Sequence, residues 1–109
     1  MRLELMISWL DLKKPVDLTI KTRKGRDCDA YYLPNYSDRN GKLKGHKIVV
    51  YLTDSGRTLE TLIAHELIHA WQEENKKTEI HGKHFQRLAK AMGSAFGLEK
   101  IYWEGVDEN

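Results

Sequence analysis

The chain of 109 residues is 40% hydrophobic and 31% charged, the mix expected of one water-soluble compact domain spanning 1–109. No apolar run approaches the roughly 18–20 residues of a membrane span, and Glu4 and Asp11 interrupt the apolar N-terminus, so neither a span nor a secretory leader is expected. The net charge of +2 excludes little, and the single cysteine, Cys28, cannot form an internal disulfide, which points to a cytosolic enzyme or binding module.

Residues 2–12 place Leu3, Met6, Ile7 and Leu10 at the i, i+3, i+4, i+7 spacing of an amphipathic helix, closed by Pro15. Val16, Leu18 and Ile20 then alternate with Asp17, Thr19 and Lys21, the period of a half-buried strand. Lys24-Gly25 reads as a turn, residues 27–33 as a second strand ended by Pro34, and residues 35–45 as an exposed loop around Asn40-Gly41. Residues 46–52 are apolar and β-branched enough for a third strand.

A helix follows from a cap at Ser55 or Thr58 to about Asn75. At about 100° per residue, its leucines, isoleucines, alanines and Trp71 cover most of the circumference. The remaining narrow strip holds Thr58, Thr61, His65, His69 and Gln72. Such a helix is buried almost all round, so its polar strip must face something inside the protein that satisfies two histidines.

That strip contains His65-Glu66-Leu67-Ile68-His69, the pattern H-E-x-x-H. Two histidines four residues apart stand one turn above each other and can share one tetrahedral zinc. The glutamate, one step round the helix, can reach a water beside the metal without binding the metal itself. A catalytic zinc takes three protein ligands, so a third must exist. Gln72 and Asn75 stand where a metzincin needs Gly and His, and no acid near Ala89 serves as a thermolysin-like ligand. A second helix over residues 82–96 carries Phe85, Leu88, Ala89, Met92 and Phe96 on its apolar face. His81 projects onto the middle of that face and is favoured as the third ligand; His84, about 80° off its centre, is the competitor. Phe85, Met92, Phe96 and Trp71 read as core. Residues 97–109 read as a short strand or docking segment around Ile101, Tyr102 and Trp103, then an acidic frayed end.

His65, Glu66 and His69, followed by His81, Gly82 and Phe85 as H-G-x-x-F, resemble the SprT-like zinc metalloprotease family, which includes the Spartan DNA-protein-crosslink proteases. The resemblance covers about residues 45–97 and implies an α+β, zincin-like domain. Its expected form is a small, mostly antiparallel sheet against a buried H-E-x-x-H helix, with a second ligand-bearing helix. It implies one catalytic Zn2+ on His65, His69 and His81, and Glu66 as general base in peptide-bond hydrolysis by a zinc-activated water. His84, Tyr51 and Tyr102 are candidate donors to the oxyanion, and Thr61 and Gln72 candidate supports of the ligands. Gly82 is expected to let the chain turn tightly between ligand and helix.

The competing function is a DNA- or protein-binding module in which zinc is mainly structural. Its motive is charge: between Lys13 and Lys47 stand ten basic residues and four aspartates, a balance of +6, against −3 over residues 48–109. Such a segment suits either solvated sheet edges or DNA phosphates, and the lack of interleaved aromatics favours the former. The expected state is a monomer in the cytoplasm, nucleoid-associated if DNA is bound, acting on a protein or peptide substrate.

Overall fold

The computed structural model describes residues 2–22, 29–37, 41, 44–52 and 56–107. The fold is α+β, in the order α1 (Leu3–Trp9), β1 (Val16–Lys21), β2 (Ala30–Ser37), β3 (Lys44–Tyr51), α2 (Leu59–Glu74) and α3 (Lys83–Phe96). Cys28, the expected turn at Lys24-Gly25, the expected cap Ser55 and Asn40 lie outside the described residues.

The sheet is mixed rather than mostly antiparallel. Its strand order is β1-β3-β2, with β3 parallel to β1 and antiparallel to β2. The middle place goes to the strand that is apolar on both faces: Ile48, Val49, Val50 and Tyr51 of β3 are all buried. Period-2 alternation in β1 tells which side chains turn inward but not which neighbour the strand takes, so the sequence does not reveal the parallel pairing.

Two boundaries also differ from the sequence reading. Strand β2 passes through Pro34 to Ser37, and β3 begins at Lys44, so residues 35–37 and 44–45 are strand rather than exposed loop. Pro34 is tolerated because β2 is an edge strand and its pairing with β3 shifts register between Leu33 and Tyr36, where an absent N–H breaks no ladder.

Thr58 caps α2, its Oγ1 accepting the Thr61 N–H at 3.2 Å. Every residue of α2 from Thr61 to Ile68 is buried, as its nearly uniform apolar surface requires. The core joins Met6 of α1, Ile48 and Val50 of β3, Ile63, Leu67 and Ile68 of α2, and Phe85 and Met92 of α3. Trp71 and Phe96 pack on its margin. Helix α3 ends at Gly97, whose φ of 67° is the left-handed conformation that glycine adopts without strain. Beyond it no strand forms: residues 98–107 run as bends and turns, with Ile101 buried. No helix among the described residues is long and apolar enough to cross a membrane.

Candidate metal centre

Helix α2 presents His65 and His69 one turn apart, and the turn ahead of α3 brings His81 against them. His81 stands one residue before the N-cap Gly82, not on the helix itself. Gly82 has ordinary extended backbone angles; a Cβ there would overlap the Glu79 side chain, so close approach rather than a tight turn explains the glycine. The Phe85 ring floors the group, its centroid 4.7, 4.8 and 5.0 Å from those of His65, His69 and His81.

The hydrogen bonds decide which nitrogens face inward. His65 Nδ1 lies 2.7 Å from the Ile101 carbonyl oxygen, which can only accept, so Nδ1 carries the hydrogen and Nε2 offers a lone pair. Gln72 Nε2 donates to the Glu79 carbonyl at 2.9 Å, which turns its Oε1 to accept from His69 Nδ1, also at 2.9 Å. His65 Nε2 then lies 3.2 Å from both His69 Nε2 and His81 Nε2. The Nε2 atoms of His65 and His69 carry no hydrogen and at that separation repel rather than bond.

A tetrahedral ion about 2.0–2.1 Å from each imidazole would set its ligand nitrogens roughly 3.3–3.4 Å apart, close to this spacing. One ligand atom from each of the three residues lies within 4.8 Å of the others, so the group could hold a metal ion. Burial pushes His65 down to about 3 and His69 to about 4, and lowers His81 as well. All three are therefore neutral at pH 7, the form that ligates a cation. The residues present fit a divalent ion.

Glu66 Oε2 lies 3.9 Å from His65 Nε2, beside the triangle rather than in it. Burial pushes its carboxyl up to about 8, opposed by the Arg57 charge. A cation among the histidines would favour the ionised form. A cavity of about 710 Å³ opens over the group, bounded by β2 through Tyr31, Tyr32 and Pro34 and rimmed by the exposed Ile80 and Val106.

The other candidates divide. Gln72 orients His69 directly, whereas Thr61 Oγ1 donates to the Glu99 carbonyl at 3.2 Å. His84 is exposed on the first turn of α3, outside the cluster. Tyr51 is buried in the sheet with its ring 6.2 Å from that of Tyr31, and does not line the cavity. Tyr102 stands nearest, its ring 6.2 Å from that of His81.

Sequence reasoning missed Arg57 and Asp107, which form an ion pair at 2.7 Å with side chains only 6% and 11% exposed. The tail expected to fray is thus held in place as far as Asp107. Their residue types carried no signal; only an exact tertiary contact makes them a pair. Of the basic segment, Lys47 bonds Asp17 and Thr19 within the sheet, and Lys13 pairs with Asp11. Arg23, Lys24, Arg26, Arg39 and Lys42 lie outside the described residues.

A family model described as the SprT-like family matches residues 35–103, a span that contains all three histidines and Glu66. No curated protein and no solved structure matches the chain.

Proposed function

Because the chain belongs to the SprT-like family, we propose that it is a zinc-dependent endopeptidase with a zincin-like site, in which His65, His69 and His81 hold the ion and Glu66 moves the proton. The observation that carries this reading is the convergence of three neutral Nε2 atoms beside one buried carboxylate. Zinc held there supplies Lewis-acid polarisation of a carbonyl and lowers the pKa of the water it binds to near 7.

The chain's own groups do the rest. Glu66 accepts the proton of the attacking water and returns it to the leaving amine. Gln72 and the Ile101 carbonyl keep two imidazoles in the tautomer that faces the ion. The outer edge of β2 along the cavity suits docking of an extended peptide, a recognition mode that fits unfolded chains better than compact ones.

The test is Glu66→Gln, which keeps the shape and removes the base. Cleavage of a denatured protein should fall about 100- to 10,000-fold while zinc stays bound. A zinc-loaded Gln variant as fast as the wild type would refute the reading.

A further inference from the structure

The imidazole of His65 is oriented from outside the helices: the Ile101 carbonyl takes its Nδ1. Ile101 belongs to residues 98–107, a segment with neither helix nor strand, so no backbone ladder holds it in register. Side chains must do so.

The principal tie is Asp107. Its Oδ1 takes the Arg57 guanidinium at 2.7 Å and its Oδ2 accepts the Trp103 N–H at 2.7 Å, while the Asp107 N–H returns to the Trp103 carbonyl at 2.9 Å. The turn over 103–107 is thereby closed on itself and anchored to Arg57, immediately ahead of the α2 cap Thr58. Arg57 also lies over the Trp103 ring at 5.3 Å, with the Lys100 ammonium 4.4 Å from the same ring centroid. Asp107 Oδ2 is 3.9 Å from His65 Nδ1, so its charge also faces the edge of the imidazole that points away from the other two histidines. Asp107 falls beyond the 35–103 span of the family match.

We infer that Asp107 and Arg57 are positioning residues of this metal centre: their ion pair holds the 101–107 segment so that the Ile101 carbonyl orients His65 toward an ion shared with His69 and His81. The inference rests on the reading of the three histidines as ligands. The pair acts through the main chain it fixes, not by contact with substrate. A pair that served stability alone would leave the ligand geometry of the folded protein unchanged.

The experiment uses the full chain and three readouts: zinc affinity by competition with a chromogenic chelator, the visible absorption of the cobalt-loaded protein, and melting of the metal-free protein. Affinity is measured at a temperature where each metal-free variant is folded. Asp107→Asn, which removes the charge and keeps the shape, should weaken zinc binding about 10- to 100-fold and shift the cobalt bands. Arg57→Lys, which keeps the charge but not the planar fork, should weaken it by a smaller factor. Should Asp107→Asn not fold without metal, Arg57→Lys decides by the same criterion. Affinity within twofold of wild type and an unchanged cobalt spectrum, even with a lowered melting temperature, would overturn the inference. A wild-type chain that binds no zinc would instead remove the reading of the site beneath it.

Discussion

His46 Nε2 lies 2.6 Å from Glu74 Oε2, which ties the middle strand of the sheet to the last turn of α2, the helix that carries His65 and His69. The opposite ring nitrogen of His46 meets the Tyr32 hydroxyl at 2.7 Å, and Glu74 also accepts the main-chain N–H groups of Lys13 and Lys14 at 2.7 and 3.0 Å. One carboxylate thus joins the α1–β1 connection, β3 and α2. The buried His46 is fully partnered and belongs to this brace, 1% exposed and apart from the three clustered histidines.

The brace predicts a pH dependence. Burial pushes the Glu74 carboxyl up, but the hydrogen bonds from His46, Lys13 and Lys14 outweigh it and hold it below its ordinary 4.5. A carboxylate depressed on folding stabilises the protein above its unfolded pKa and loses that contribution as pH falls through the folded value. Glu74→Gln should therefore cost about 1–3 kcal/mol at pH 7 and progressively less below pH 4.5. Urea unfolding of both metal-free proteins between pH 7 and pH 3 checks this; curves that stay parallel across the range would contradict it.

Gln72 is predicted to set metal affinity rather than fold. Gln72→Leu leaves the His69 Nδ1–H without its acceptor and lets the ring turn, at an expected loss of about 10- to 100-fold in zinc affinity. Chelator competition measures the loss. Wild-type affinity in the variant would mean that His69 needs no such support.

The choice between His81 and His84 has a direct readout. His81→Ala should lower zinc retained after dialysis against a weak chelator, because its ring closes the triangle, whereas His84→Ala should retain the wild-type amount. The reverse pattern would reassign the third ligand.

Phe85→Ala should be the most damaging single change near the site. The ring is fully buried and touches all three imidazoles, so truncation opens a cavity in the core and under the cluster. The expected cost is about 3–5 kcal/mol, read as a lowered urea midpoint. A variant within about 1 kcal/mol of wild type would show that the neighbouring helices collapse into the space.

Metal removal should separate catalysis from folding. The core of Met6, Ile48, Leu67, Phe85 and Met92 is built without any metal-ligating group, so a chelated chain should keep its helical circular dichroism while losing peptidase activity. Cooperative unfolding on chelation would make the ion structural.

What the amino-acid order determined by itself was whatever depends on near neighbours along the chain. The i, i+4 spacing of His65 and His69, the Thr58 cap and the apolar circumference of α2 are local, and a helix translates them directly into a buried polar strip. Projection of the α3 period back to residue 81 also reached the inward-facing side of that helix, although His81 lies just outside it. Contacts between distant segments were decided only by the tertiary structure: β3 between β1 and β2, Pro34 accommodated by a register shift, the Ile101 carbonyl on His65, and Arg57 paired with Asp107 fifty residues on. The reason is physical. Helical periodicity repeats every few residues and can be read from a short window, whereas an ion pair or a strand neighbour is specified by the packing of the whole core and leaves no local trace in either partner.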